Sequence, residues 1–218
     1  IIGRWVIMAT GRARRPGTFI ASDKSNLDLK ALKKCQFCEE HESETPKEIL
    51  AIRKGNSKAN TSGWQVRVIP DKQPIFDPNV KINPKMYGLY EVLEARGAHE
   101  VVDETPEHIA NMAVLDVKQI KQVIEVYVER IQELEKDITL SYALAHKNYN
   151  WSRDNRNIPH AHSQIIATPV IPMRVREELR GSKKYYDYHE RCIFCDLIKQ
   201  ELNDRSRVVI ENEHFLTL

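Results

Sequence analysis

The segment Pro159-His-Ala-His-Ser-Gln-Ile-Ile-Ala-Thr-Pro-Val-Ile-Pro172 decides how this sequence is interpreted. Its central part is predicted to be a β-strand, and Pro169 to Pro172 end it. His160 and His162 are two residues apart, so both side chains leave the same face of a strand, and Gln164 joins them. A polar stripe beside apolar residues is unusual for a half-buried strand. We therefore predict a strand whose polar face carries chemistry, with an exposed strand edge as the alternative.

Apolar periodicity predicts the elements around this strand. Trp64–Pro70 alternates apolar and polar residues and ends at a proline, which is typical of a strand. Apolar residues recur every three or four positions over 116–136, which predicts a long amphipathic helix. Further strands are predicted at 5–8, 90–93 and 140–144, and a helical segment at 174–180. Strands outnumber helices and do not alternate with them, so we predict an α+β fold with a mainly antiparallel sheet.

Charge and hydropathy exclude two classes of function. The 218 residues include 33 Lys and Arg against 31 Asp and Glu, a net charge of +2, and the two signs are interleaved. This pattern argues against a nucleic-acid scaffold. The apolar stretches are far shorter than the ~20 residues that span a bilayer, so we expect no membrane association. The chain starts at Ile1 without a methionine and ends in the strand-like Phe215–Leu218, so we interpret both ends as cut.

The four cysteines occur as two copies of one spacing, Cys35-Gln-Phe-Cys38 and Cys192-Ile-Phe-Cys195. A secreted disulfide scaffold would carry more cysteines, so we expect a cytoplasmic protein. Paired thiolates on a turn suit tetrahedral Zn²⁺, and a redox pair is the alternative. The spacing alone leaves open whether the cysteines form one shared site or two sites completed by other ligands.

Five blocks of sequence, in order, carry a resemblance to a known family. They are WVIMATGRARRP from Trp5, CQFCEEHESETPKEI from Cys35, RVIPDKQPIF from Arg67, GAHEVVDETPEH from Gly97 and PHAHSQIIATPVIP from Pro159. Together they resemble the galactose-1-phosphate uridylyltransferase family, a branch of the histidine-triad superfamily. The resemblance implies a histidine-triad-like antiparallel sheet with packed helices, duplicated in the family. It implies one domain over 1–185, the start of an incomplete second repeat over 186–218, and a homodimer.

The resemblance also implies a two-step nucleotidyl transfer. His162 would attack the α-phosphorus of a nucleotide sugar, a sugar 1-phosphate would leave, and a second sugar 1-phosphate would accept the nucleotidyl group. The expected pair is UDP-glucose with galactose 1-phosphate. Gln164 would act with His162 by hydrogen-bonding the transferring phosphate. The substrate-binding residues it implies are Arg12, Arg15, Arg67, Asp71, Asn157 and Gln164.

The same mapping implies a structural zinc ion. Its ligands would be Cys35, Cys38, His99 and His160, a closed shell of two thiolates and two imidazoles. Cys192 and Cys195 would be half of a second zinc site. The remaining histidines are interpreted as ordinary residues; they are His41, His108, His146, His189 and His214.

Departures from the family pattern keep two other functions open. The loop 151–157, Trp-Ser-Arg-Asp-Asn-Arg-Asn, replaces the family's small residues before the histidine pair, Asp71 replaces an asparagine, and Ala161 replaces a proline. One alternative is an ADP-sugar or dinucleoside polyphosphate phosphorylase that uses the same histidine. The other is a zinc-stabilised binding module without turnover.

Overall fold

The computed structural model describes residues 4–9, 35–109, 111–148 and 160–218. They form two compact units. One extends from Val6 to Val170, and the other comprises Ile171–Leu218 with Arg4 and Trp5. In the described part of the chain no helix is both long and apolar enough to span a membrane.

A five-stranded sheet forms the centre of the larger unit. The strands of this unit, numbered along the chain, are β1 (Leu50–Arg53), β2 (Trp64–Pro70), β3 (Lys85–Tyr87), β4 (Tyr90–Val92), β5 (Ala98–Asp103), β6 (Tyr142–His146) and β7 (His162–Thr168). The sheet has the order β1-β2-β5-β7-β6, and every neighbouring pair in it is antiparallel. Strands β3 and β4 form a separate hairpin. The predicted α+β class with an antiparallel sheet is confirmed.

Helix α1 (Val117–Leu134) packs on one face of the sheet. Asp116 precedes it, and its carboxylate accepts a hydrogen bond from the backbone N–H of Gln119 at 2.7 Å, which satisfies a donor that the first turn leaves free. The core between helix and sheet consists of six fully buried apolar side chains: Val66, Val68, Val102, Val123, Val126 and Ile165. The predicted helix over 116–136 is therefore confirmed to within two residues at its end.

The opposite face of the sheet carries the polar stripe. Because side chains alternate along a strand, Ser163 and Ile165 of β7 face α1, whereas His162 and Gln164 leave the other face. Register places Asp103 of β5 opposite His162 and Val101 opposite Gln164. A second buried cluster forms on this face; its members are Cys35, Phe37, Ile69 and Val101. The first CxxC segment therefore packs against the strand face that bears the histidine.

The second unit contains helices α2 (Met173–His189) and α3 (Ile193–Asp204) and the short strands β8 (Ile210–Glu211) and β9 (Leu216–Thr217). Tyr185 on α2 donates a hydrogen bond to Asp196 on α3 at 2.8 Å, which ties the two helices together. Helix α2 is longer than the predicted segment 174–180. The predicted domain boundary near residue 185 falls inside α2, whereas the two units divide at Val170 and Ile171.

One predicted strand does not form. Residues 4–9 have no regular secondary structure, and Val6 and Met8 are exposed. A short apolar run becomes a strand only where a neighbouring strand pairs with it, and no such partner lies beside 4–9 in the described residues. The prediction of a strand at 5–8 is wrong there.

Candidate active site and metal-ligand group

Two cysteines and two histidines converge at the end of the sheet where β7 begins. The ligand atoms of Cys35, Cys38, His108 and His160 all lie within 4.8 Å of one another. Nδ1 of His160 is 3.6 Å from the Sγ atom of each cysteine, and Nδ1 of His108 is 3.3 Å from Sγ of Cys38. Two soft thiols and two imidazoles at these separations are the donor set of a tetrahedral metal centre.

The orientation of His160 suits a ligand. Its Nε2–H donates to the backbone carbonyl of Thr105 at 2.8 Å, which leaves the Nδ1 lone pair directed at the sulfur atoms. Burial lowers the pKa of His160 to about 4, so the ring is neutral at neutral pH. Burial, and then the neighbouring Cys35, raise the pKa of the Cys38 thiol to about 12. A bound cation would offset this cost of forming a thiolate.

His99 is not part of this group, so the predicted ligand set is corrected. His99 pairs with Ile166 on β7, which is six residues beyond His160 and so about 20 Å along the strand. The end of β5, not its start, lies beside the start of β7. The chain leaves β5 after Asp103 and brings His108 to the cysteines. The interpretation of His108 as an ordinary residue was wrong, and antiparallel pairing of β5 with the histidine strand was the signal that could have identified it.

His162, the predicted nucleophile, is the first residue of β7 and is held in one orientation. Its Nδ1–H donates to the backbone carbonyl of His160 at 2.7 Å. The Nε2 lone pair is thereby left available, because a neutral imidazole carries one proton. Burial lowers the pKa of His162, which keeps the ring neutral at neutral pH. The ring of Phe37 lies 5.3 Å from the His162 ring, centre to centre.

A buried polar network supports the backbone of His162. Lys147 donates to the carbonyl oxygen of His162 at 2.9 Å and to the fully buried carboxylate of Glu104 at 2.7 Å. Tyr127 on α1 donates to Ser163 at 2.6 Å and lies 3.4 Å from Glu104. Sequence patterns did not identify these residues as part of the site, because their roles depend on contacts between residues far apart in sequence.

Gln164 and Asp71 are both predicted site residues. The side chain of His99 lies between them and contacts both. Nε2 of His99 is 3.3 Å from Oε1 of Gln164 and 3.4 Å from Oδ2 of Asp71. Asp71 directly follows β2, and its Oδ1 accepts the backbone N–H of Gln73 at 2.7 Å. The charge of Asp71 acts on His162 by favouring its protonated form, so these groups share one electrostatic environment.

Arg67 is buried on the sheet face that carries His162, since register places it opposite Asp103, and its predicted role in substrate binding stays a prediction. Only 1% of the side chain is exposed. The guanidinium donates to Thr45 Oγ1 at 2.7 Å, to the carbonyl of Pro46 at 3.3 Å and to Glu48 at 3.4 Å. These partners from the segment before β1 occupy its donors, so Arg67 anchors that segment to the sheet.

Some predicted residues are outside this geometry. Arg12, Arg15, Asn157 and the loop 151–157 lie outside the described residues. Cys192 and Cys195 belong to the second unit, where both are exposed and Cys192 precedes α3. Among the described residues, the group of Cys35 is the one that assembles three or more such ligands, so the second zinc site stays a prediction.

Comparison with known proteins identifies the family of this chain. The family model described as "Galactose-1-phosphate uridyl transferase, N-terminal domain" matches residues 1–172. The chain is 27% identical over its whole length to ADP-glucose phosphorylase of Arabidopsis thaliana, and covers 59% of that protein. It is 31% identical over 137 residues to galactose-1-phosphate uridylyltransferase of Thermotoga maritima, a match that covers 63% of this chain and 42% of that protein.

A solved structure shares the fold. The crystal structure of an ADP-glucose phosphorylase from Arabidopsis thaliana with bound ADP-glucose matches 94% of this chain and 57% of that one, at a TM-score of 0.66 and 26% identity. The chain therefore belongs to the galactose-1-phosphate uridylyltransferase family, within its N-terminal domain. It spans 59% of the Arabidopsis relative's length and a smaller share of the Thermotoga relative's.

Proposed function

We propose that this protein catalyses nucleotidyl transfer through a covalent nucleotidyl-histidine intermediate on His162. The observation that carries the proposal is the 2.7 Å hydrogen bond from His162 Nδ1 to the carbonyl of His160. It places the single proton of the neutral ring on Nδ1 and leaves Nε2 as a nucleophile in a fixed orientation. Membership of the family supports the same reaction class.

The first step forms a bond between Nε2 and the α-phosphorus and breaks the bond from that phosphorus to the bridging oxygen. The bridging oxygen and its electron pair leave with the sugar 1-phosphate. A neutral imidazole needs no base to remove a proton before it attacks, and burial keeps His162 in this form. Gln164, two residues along the same face, donates its amide N–H groups to an oxygen of the transferring phosphate.

The acceptor of the second step separates two candidate activities. With galactose 1-phosphate as acceptor and UDP-glucose as donor, the protein is a uridylyltransferase, as is the Thermotoga relative by its name. With inorganic phosphate as acceptor, the adenylyl group of an adenylyl-histidine formed from ADP-glucose would pass to phosphate. The product would be ADP, and the histidine would be free again. The whole chain matches an ADP-glucose phosphorylase, and this match supports the second candidate. Both activities are therefore tested.

We propose that the Cys35, Cys38, His108 and His160 group binds zinc. Zn–S bonds of about 2.3 Å and Zn–N bonds of about 2.0 Å at tetrahedral angles imply sulfur–nitrogen separations of about 3.5 Å. Three of the four sulfur–nitrogen separations are 3.3 to 3.6 Å, and all four ligand atoms lie within 4.8 Å of one another, so the residues fit the ion. Four protein ligands close the shell, so the zinc would hold the CxxC turn, the loop after β5 and the start of β7 together.

Labelling with a radioactive donor tests the proposal. The protein is incubated with UDP-glucose, ADP-glucose or a diadenosine polyphosphate carrying ³²P at the α-position, and acid-labile label on the protein is counted. We expect label from at least one donor, and its loss in His162→Asn. His214→Asn, a change at an exposed histidine of the second unit, is the matched control.

The donor and the acceptor that discharges the label identify the activity. Label from UDP-glucose that galactose 1-phosphate removes supports the uridylyltransferase, and label from an adenine nucleotide that phosphate removes supports the phosphorylase. No label from any donor, in protein that contains zinc, would leave the zinc-stabilised binding module. The homodimer expected from the family stays a prediction that analytical ultracentrifugation checks.

A further inference from the structure

The carboxamide of Gln164 must adopt one of two orientations, and only one of them suits an anionic substrate. A side-chain amide has one acceptor oxygen and one donor nitrogen that exchange places when the group rotates by half a turn. If the nitrogen faces the phosphate, it donates to an anionic oxygen. If the oxygen faces the phosphate, two lone pairs repel. The neighbours of Gln164 therefore decide whether it can assist transfer.

His99 is a donor toward Gln164, because its other nitrogen is occupied. The backbone N–H of Ile75 lies 3.1 Å from Nδ1 of His99, and a backbone amide can only donate. Nδ1 is therefore the acceptor, and the proton of the neutral ring is on Nε2. Nε2 faces Oε1 of Gln164 at 3.3 Å and Oδ2 of Asp71 at 3.4 Å, and both oxygens accept. The side chain of His99 is fully shielded from solvent, so water does not compete for this proton.

His146 acts on the same carboxamide from the other side. Strand β7 lies between β5 and β6, and register places His146 of β6 directly opposite Gln164. Burial lowers the pKa of His146, and a hydrogen bond with Gln164 opposes that shift. Nδ1 of His146 is buried without a hydrogen-bond partner among the described residues, so Nε2 is the atom that can reach Gln164. The two imidazoles therefore flank the carboxamide, and Nε2–H of His99 is the donor that takes its oxygen.

We propose that His99 is a positioning residue that holds Oε1 of Gln164 and so directs the amide nitrogen to the transferring phosphate. The proposal rests on the nucleotidyl transfer proposed above. It gives His99 a role other than metal binding: His99 acts through Gln164 and does not contact the reacting atoms. Asp71, which also accepts from Nε2 of His99, holds the ring in the orientation that this bond requires.

A double-mutant cycle in a single-turnover labelling assay tests the proposal. His99→Phe keeps a ring of similar size but removes the donor, and we expect the labelling rate to fall about tenfold, as for the loss of one hydrogen bond. His99→Gln, whose amide nitrogen can replace Nε2–H, should restore most of the rate. Gln164→Ala should be slower by about 100-fold. Adding His99→Phe to Gln164→Ala should cost nothing more, because His99 acts only through Gln164.

Two outcomes of the cycle would overturn the proposal: an unchanged rate in His99→Phe, or a full tenfold loss that persists in the Gln164→Ala background. Zinc content distinguishes a folding defect from a loss of positioning. A folded variant should contain as much zinc as the wild type. If His99→Phe does not fold, His99→Gln is compared with His99, both in the wild type and in the Gln164→Ala variant. In each background the labelling rates with His99 and with Gln at position 99 are expected to be equal.

The imidazole tautomer is a readout that does not depend on activity. Nitrogen-15 NMR of histidine-labelled protein, with His99 assigned by substitution, should show a proton on Nε2 and none on Nδ1. A proton on Nδ1 would overturn the positioning role even if the wild type is labelled. Failure of the wild type to accept label, with the expected tautomer present, would instead contradict the proposed function.

Discussion

His162 donates from Nδ1 to the backbone carbonyl of His160 at 2.7 Å, while the ring of His160 points to two cysteine sulfur atoms. The short segment His160–His162, which leads into β7, therefore connects the candidate nucleophile to the metal-ligand group. The side chain of His160 is anchored by the cysteines and by Thr105, so its carbonyl is held in place for His162. Any change that releases His160 should also release the nucleophile.

The corrected ligand set makes a prediction about metal content. His108→Ala should reduce bound zinc well below one ion per chain, because a tetrahedral site loses one of its four ligands. His99→Gln should bind as much zinc as the wild type, since His99 lies about 20 Å along the strand from His160. Metal analysis by mass spectrometry checks both variants. Loss of zinc from the His99 variant and not from the His108 variant would restore the original assignment.

Chelation should destabilise the larger unit more than the second unit. The metal-ligand group joins three segments that no long helix connects, so its loss releases them together. We expect thermal unfolding of the wild type to shift to lower temperature with a chelator and to recover when zinc is added. His108→Ala is the control, because its unfolding should change little with chelator.

Lys147→Met should weaken both the fold and the chemistry. The substitution leaves the fully buried Glu104 without its cation, at a cost of about 3 kcal/mol, and removes the donor to the carbonyl of His162. Lys147 also acts to lower the pKa of His162, so without it that pKa rises. The acid limb of the pH–rate profile for labelling should therefore move to higher pH. Denaturant unfolding and the pH profile measure the two effects.

A paired substitution separates charge from packing at this position. In Lys147→Met with Glu104→Gln neither residue is charged, so most of the lost stability should return. The pH profile should also move back, since Glu104 and Lys147 act on His162 with opposite signs. A double variant as unstable as the single one would contradict this account of the pair.

Asp103 should make stability depend on pH. Its carboxyl is fully buried, neither oxygen has a hydrogen-bond partner among the described residues, and burial raises its pKa well above the ordinary value. A carboxyl with a raised folded-state pKa binds a proton more tightly in the folded state, so stability falls as pH rises above about 4. The slope can reach about 1.4 kcal/mol per pH unit. Asp103→Asn should remove this slope, measured as the free energy of unfolding from pH 4 to 8.

Helix α1 offers a matched pair of substitutions for the core. Val126→Ala removes methyl groups from a fully buried position and should cost about 2 kcal/mol. Val128→Ala, two residues along the same helix and 51% exposed, should change stability by less than about 0.5 kcal/mol. Chemical denaturation of the two variants gives the comparison, and similar losses would mean that α1 is not packed as described.

Local patterns in the sequence predicted the main elements and the candidate residues of the histidine strand. The alternation of Trp64–Pro70 and the three-to-four spacing over 116–136 predicted β2 and α1, because each period reflects one buried face. The ordered motifs identified the family, and they are the source of the proposals for His162, Gln164 and the first cysteine pair.

Tertiary structure alone decided which histidine joins the cysteines and where the other one lies. His99 and His108 belong to the same motif, and spacing does not separate them. Antiparallel pairing brings the end of β5, and so His108, to the start of β7, and leaves His99 beside Gln164. Burial of Arg67 and the Lys147–Glu104 pair also depend on contacts between residues far apart in sequence. Such contacts follow from strand register and packing, which a local pattern does not encode.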